Sequence, residues 1–293
     1  MRSNEIWIYR FVLTILVVVF PITAGKAQTP QPSPTPSASP TLERQFFKNV
    51  LLDQKAIWTA PFHLHSEDAR WAAPLAFGTA ALIVTDQQTG DEMAEANGQL
   101  KASRVVSYAG SVYGVGAVTA GFYLFGRAKH DDRARETGIL GAEALVDSAI
   151  IVTAVKEITQ RTRPDGGQAR SDFFDGGSSF PSGHSISAWS LASVVASEYH
   201  DRRAVQIAAY GIASAVSISR FTGEKHYISD VLVGSAMGFG IGRYVYRVHH
   251  RAVSSVGGEE EEELSEYDRR WPAVAPLFDS HAHKYGLGLA WSF

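Results

Sequence analysis

Between Thr41 and Val253 the apolar residues of this chain recur in long segments with helical spacing, and strand-like alternation is scarce. The segments run from Trp71 to Val84, Val105 to Gly126, Gly138 to Val155, Ile186 to Ala196, Val205 to Ile218 and Ile228 to Val245. Each is rich in Ala, Gly and Ser, which lets helices approach closely. The expected fold class is therefore all-α, a helical bundle. Gly234, Gly238 and Gly242 recur every four residues, so they form one smooth helix face suited to tight packing. Only Val105 to Gly126 is both long enough and free enough of charge to span a bilayer, and Glu143 and Asp147 interrupt the segment after it. The pattern favours a bundle in water, with a peripheral or partly inserted membrane arrangement as the alternative.

The flanks of the bundle differ in kind. Arg2 and Arg10 carry positive charge around the start of an apolar run from Phe11 to Ala24, and Gly25-Lys26-Ala27 offers small residues for cleavage. Residues 1–27 read as a secretory signal, with an uncleaved anchor as the competing reading. This implies export to the periplasm or cell envelope. Residues 28–40 are rich in Pro, Ser, Thr and Gln and read as an extended linker. The bundle domain is assigned to residues 41–253. Residues 254–293 comprise an acidic hinge, Glu259 to Glu263, and a tail whose last stretch from Tyr285 alternates as a strand does.

Composition removes several function classes. The formal net charge of −3 leaves no general basic surface for nucleic acid. The chain has no cysteine, which excludes disulfides, thiolate metal sites and cysteine nucleophiles.

Three polar clusters stand out against this background. The first is Lys156 and Arg163, seven residues apart and followed by Pro164. That spacing is about two helical turns on one face, and the proline puts Arg163 at or near a helix end. An Arg fork and a Lys point charge there can converge on one dianion; a solvated basic helix end has the same appearance. The second cluster is Pro181-Ser182-Gly183-His184, ahead of an apolar helical run. Ser182 is placed as an N-cap, Gly183 permits close backbone approach, and the free N–H groups of the helix start bind anions. The third is Ser219-Arg220 followed by His226 and Asp230. The last two are four apart and expected on one helix face. A carboxylate at one ring nitrogen fixes the tautomer and presents the other nitrogen as nucleophile or base. Each cluster alone has a structural explanation. Together they supply three cations, two histidines, one orienting acid and one anion-binding helix start.

The pattern Lys-x6-Arg-Pro, Pro-Ser-Gly-His, Ser-Arg-x5-His-x3-Asp resembles that of the superfamily of type 2 phosphatidic acid phosphatases and vanadium haloperoxidases. Every specified position matches, most strongly from Leu140 to Gly242. The resemblance implies a helical bundle of the type 2 acid phosphatase kind with its site at one end. It implies His226 as nucleophile, Asp230 as its orienting partner and His184 as general acid. Lys156, Arg163 and Arg220 then clamp phosphate, and Ser182 and Gly183 hold phosphate oxygens. The implied activity is hydrolysis of a phosphate monoester, lipid-linked or small, through a phosphohistidine and without a metal or other cofactor. Vanadate enters as an inhibitor. In the alternative of a vanadium haloperoxidase it is the cofactor, and in a third reading the chain is a non-catalytic phosphate-binding envelope module.

Other features stay outside this assignment. No dense carboxylate cluster is visible along the chain, and Asp131-Asp132 reads as a surface pair. His249 and His250 follow the last helix and are expected on the surface; His63, His65, His281 and His283 receive no role. The loop Asp165 to Phe180, with Phe173 and Phe174, reads either as a substrate rim or as a plain connector.

Overall fold

A computed structural model describes residues 42–63, 65, 68–93, 103, 106–108, 110–164, 171–250, 273–279 and 284–290. The signal, the linker and the acidic hinge of the sequence reading lie outside these residues. Among the described residues the α-helices in chain order are α1 (Leu42–Thr59), α2 (Ala69–Met93), α3 (Val112–Lys129), α4 (Asp132–Thr159), α5 (Gly183–Glu198), α6 (Arg203–Thr222) and α7 (Ile228–Val245). A 3-10 turn, Ala60–His63, follows α1, and a π-helical turn, Tyr246–His250, ends α7. Two strands in the tail, β1 (Ala273–Asp279) and β2 (Lys284–Ala290), pair antiparallel with Ala273 opposite Ala290. The expected strand after Tyr285 is thus one arm of a hairpin.

α5 is the central helix. Ile186, Leu191, Val194 and Val195 are buried on successive sides of it, along with Ser185, Ser190 and Ser193. A helix buried all round needs partners on several faces, and α4, α6 and α7 provide them. Between α5 and α7 the approach is close enough to exclude any side chain. A Cβ on Gly238 would stand 2.2 Å from the Ile186 carbonyl oxygen, one on Gly242 2.2 Å from that of Ser190, and one on Gly234 2.7 Å from that of Ser182. The four-residue glycine ridge of α7 therefore fits a four-residue carbonyl row of α5, as its spacing suggested. Leu140, Ala144, Ile151, Ile186, Val194 and Val245 fill the core beside this contact. Full burial of each larger aliphatic side chain contributes about 1.5–3 kcal/mol.

The segment Val105 to Gly126 is not one helix. Ser111 adopts an extended conformation and its Oγ accepts the Gly114 N–H, starting α3 afresh at Val112. Serine at an N-cap satisfies an orphan donor that a continuous helix would not have. The helices long and apolar enough to cross a membrane, among the described residues, are instead α4 and α6. Just over half of the α4 window (56%) is buried in the bundle, as for a core helix, whereas for α6 the share is 28%. Ile207, Ile212 and Ile218 of α6 are exposed.

Candidate active site

The three sequence clusters meet at one end of the bundle, where α4 ends and α5 and α7 begin. Lys156 lies in the last turn of α4, which closes with Gln160 in the left-handed conformation (φ 44°). Arg163 thus follows the helix end, and the expectation of two cations on one helix face is corrected. They converge because the chain doubles back: Lys156 Nζ donates to the Ser178 carbonyl, and Arg163 Nη2 stands 3.3 Å from Ser178 Oγ. Arg220 arrives from the last turn of α6, its Nη1 donating to Ser107 Oγ at 3.0 Å.

Ser182 occupies the N-cap of α5 as expected, but its side chain does not cap the helix; its Oγ accepts from Ser185 Oγ at 3.0 Å. Gly183 and His184 open the helix, where free N–H groups and the dipole favour an anion. The Ser182 N–H donates to the Asp230 carbonyl at 3.0 Å, which ties the starts of α5 and α7 together.

His226 precedes α7 rather than lying on it, a second correction. Tyr227 is the N-cap, and the Asp230 side chain accepts the Tyr227 N–H at 3.0 Å. The capping geometry still brings Asp230 Oδ2 to 3.6 Å from His226 Nδ1. This is longer than a hydrogen bond, and such contacts often tighten only when substrate is bound. Both residues are buried.

Sequence reasoning missed the groups that hold Asp230. Arg161 is fully buried and donates from Nη1 to Asp230 Oδ1 (2.6 Å) and Ser229 Oγ (2.7 Å), and from Nη2 to Asp86 Oδ2 (2.9 Å). Its guanidinium lies between the Phe173 and Tyr227 rings, 4.7 and 4.5 Å from their centroids. Ser179 Oγ donates to Asp230 Oδ2, and Ser229 donates through both N–H and Oγ to Asp86. Phe173 is therefore a packing residue, whereas Phe174 is exposed with φ 63°. Arg161 lies inside the Lys156–Arg163 motif, but nothing local distinguishes it from a surface cation; its partners stand 69 and 75 positions away.

Electrostatics follow from this crowding. Burial, then the positive charge of Arg220, then His226, Arg163 and Lys156, push His184 down to about 3. Burial lowers His226 to about 4, with Asp230 opposing the shift. Burial raises the Asp230 carboxyl, but His226, Arg161 and Ser179 outweigh it and hold the group below its ordinary value. The site without an anion thus holds three cations around two neutral imidazoles. A cavity of about 450 Å³ opens beside His184 and Arg220, lined also by Ser107, Tyr108, Tyr113 and Lys225.

Residues 137–254 match the model of the PAP2 superfamily. Over 127 residues the chain is 35% identical to the lipid A 1-phosphatase of Porphyromonas gingivalis, a match covering 43% of this chain. It spans about a quarter (26%) of that relative's length. Among solved structures, the transmembrane PAP2-type phosphatidylglycerolphosphate phosphatase of Bacillus subtilis is 23% identical, with a TM-score of 0.39 over 71% of this chain and 95% of that one. Aquifex aeolicus LpxE is 20% identical, with a TM-score of 0.40 over 50% and 83%.

Proposed function

We propose that this chain is an exported, envelope-located phosphatase that hydrolyses a lipid-linked phosphate monoester through a phosphohistidine on His226, with no metal at the catalytic centre. The observation that carries the reading is the convergence of Lys156, Arg163 and Arg220 on His184, with His226 and Asp230 directly behind. Three cations match the charge that spreads over the equatorial oxygens during phosphoryl transfer, and the α5 N-terminus adds oriented N–H groups. The PAP2 relative that acts on lipid A supports a lipid substrate, as do Tyr108 and Tyr113, which line the cavity yet are largely exposed.

In the first step Asp230 holds the Nδ1–H tautomer of His226, so that Nε2 carries the lone pair. Nε2 attacks phosphorus and the phosphorus–ester oxygen bond breaks. His184, made imidazolium in the complex by the proton that the ester monoanion brings, gives that proton to the departing alkoxide and is left neutral, and His226 carries the phosphoryl group. In the second step neutral His184 accepts a proton from water, the hydroxide oxygen bonds to phosphorus, and the N–P bond breaks. Ser182 and Gly183 hold phosphate oxygens throughout, the glycine through its N–H.

The test is to quench turnover on a phosphate-labelled lipid ester in base and map the acid-labile label. Labelled His226, absent in His226→Ala and accumulating in His184→Ala with activated aryl esters, is the expected result. Label on His184, or its persistence in His226→Ala, would overturn the mechanism. Halide oxidation with vanadate and peroxide, without phosphate release, would establish the haloperoxidase reading instead.

A further inference from the structure

A second polar cluster is built into the bundle, away from the phosphate-binding end. α1 contributes Asn49, Asp53 and Gln54, α4 contributes Glu143 and Asp147, and the end of α7 with its π-turn contributes Tyr244 and His249. Asp53, Glu143 and Asp147 are each 0% exposed, and His249 is buried as well, contrary to its expected surface position. Asp53, Glu143 and His249 each place one ligating atom within 4.8 Å of the other two. His249 Nε2 stands 2.9 and 2.8 Å from the two Asp53 oxygens. The Asp147 carboxyl and the Tyr244 hydroxyl also lie near Asp53.

The partners of these acids are incomplete. Glu143 Oε1 accepts from Asn49 Nδ2 at 3.0 Å and Asp147 Oδ1 from Gln54 Nε2 at 2.8 Å. The second oxygens, Glu143 Oε2 and Asp147 Oδ2, are buried with no hydrogen-bond partner among the described residues. Three carboxyls share one imidazole, so even with His249 protonated the cluster carries two uncompensated negative charges when all three ionise. Leu140, Ala144, Val245 and Tyr246, neighbours in sequence of the cluster residues, belong to the apolar core. Buried charge without compensation is strongly unfavourable, so these acids either take up protons or ionise beside a positive species that the side chains do not provide.

We propose that Asp53, Glu143 and His249, with Asp147 beside them, bind a divalent cation of the zinc type. Carboxylate oxygen with imidazole nitrogen suits zinc or a neighbouring transition ion better than magnesium or calcium, which favour oxygen alone. In a tetrahedral site with bonds of about 2.0–2.2 Å the ligand atoms stand about 3.3–3.6 Å apart. The shortest pair here, 2.8 Å, opens to that distance with a small side-chain movement. The ion would join α1 to α4 and to the end of α7. Asp147 lies nine residues before Lys156 on α4, about 13 Å along the helix, so the ion is a staple and takes no part in phosphoryl transfer. The inference stands independently of the phosphatase reading.

The test uses the full chain, purified with zinc supplied and no chelator. Metal content by mass spectrometry should be close to one zinc per chain. Cobalt(II) in its place should give the visible absorption of a four- or five-coordinate ion. Removing the metal with a chelator should lower Tm by about 5–10 °C, restored by zinc. The initial rate of phosphate release at low temperature should stay unchanged. Glu143→Gln and His249→Gln should each lose the bound metal, while His63→Ala keeps it. Only trace metal, no cobalt absorption and a Tm indifferent to chelator would overturn the proposal and leave shared protons as the compensating charge. Equal binding in Glu143→Gln and His249→Gln would also overturn it, by locating the metal on other histidines. Should those variants not fold, the cobalt spectrum and chelator response of the unaltered chain decide alone.

Discussion

Arg161→Met removes a guanidinium while keeping most of the apolar stem between Phe173 and Tyr227. In the intact chain that group neutralises two buried carboxylates, Asp230 at 2.6 Å and Asp86 at 2.9 Å, all three fully buried. Breaking a buried pair by deleting one partner costs about 3–5 kcal/mol, because the other charge stays behind in a dry site. The two pairs share one guanidinium, so their losses overlap rather than add. The expected destabilisation is therefore about 3–5 kcal/mol, read as a Tm lower by roughly 6–20 °C for a domain of this size. Replacing Asp86 with Asn in the same chain should recover part of it by removing one stranded charge. Catalysis should suffer separately. Without its Oδ1 anchor, Asp230 no longer fixes the His226 tautomer, and loss of such a supporting contact costs about 10–100-fold elsewhere. The loss should fall on kcat with KM nearly constant, since Arg161 is buried behind the site. Thermal unfolding and steady-state kinetics on the same preparation measure both. A Tm within about 2 °C of the parent, or a change confined to KM, would refute the assigned role of Arg161.

Gly238→Ala places a methyl 2.2 Å from the Ile186 carbonyl oxygen, against backbone that cannot yield. It should cost at least about 3 kcal/mol in urea unfolding. Gly240→Ala, with nothing within 4 Å, should stabilise α7 by up to about 1 kcal/mol; equal effects would refute the α5–α7 packing. The His226 imidazole, lowered to about 4 by burial, keeps its lone pair well below neutrality. The acid limb of kcat/KM should lie near pH 4. The stability that neutral His226 contributes is fully present above its ordinary value of about 6.5 and is lost as pH falls from there towards 4. His226→Gln should make that part of the stability profile less steep, leaving the share of His184; an unaltered profile would refute the shift.

The sequence made the bundle readable because its signals are local. Ile228 to Val245 emerged with the bounds that α7 shows, and a ridge of glycines every four residues implies a close neighbour whatever that neighbour is. The motif residues were legible for the same reason: short strings mark them, and the chain brings them together. Their local geometry was less legible. A spacing of seven from Lys156 to Arg163 looked like two helical turns, but Gln160 turns left-handed and the chain leaves the helix. A spacing of four from His226 to Asp230 looked like a helix face, but a cap intervenes at Tyr227. What no local pattern carries is long-range polar pairing. Asp86 meets Arg161 across 75 positions and Asp53 meets His249 across 196. Each of these four, read in its own stretch of chain, looks like a surface charge.

The placement of the proposed chemistry at helix ends follows from the charge it must handle. Tight packing of α5 on α7 sets their two N-termini side by side, joined by the Ser182 N–H and the Asp230 carbonyl. Both dipole ends are positive there, and Lys156, Arg163 and Arg220 add three full charges within reach of His184. Burial, and with it this concentration of positive charge, keeps His184 neutral, which is the wrong form for a general acid. A phosphate dianion entering the pocket cancels much of that field, and the imidazole regains its affinity for a proton. That proton can arrive with the substrate itself, carried by the monoanion of the ester. The three cations then serve two purposes with one arrangement. In the proposed reaction they hold the phosphoryl group, and they withhold the acid until a phosphoryl group is present. Asp230 stays ionised throughout, because His226, the Arg161 charge and the Ser179 hydroxyl together outweigh its burial. The buried ion pair is thus what separates one permanently charged acid from two imidazoles whose charge depends on the ligand.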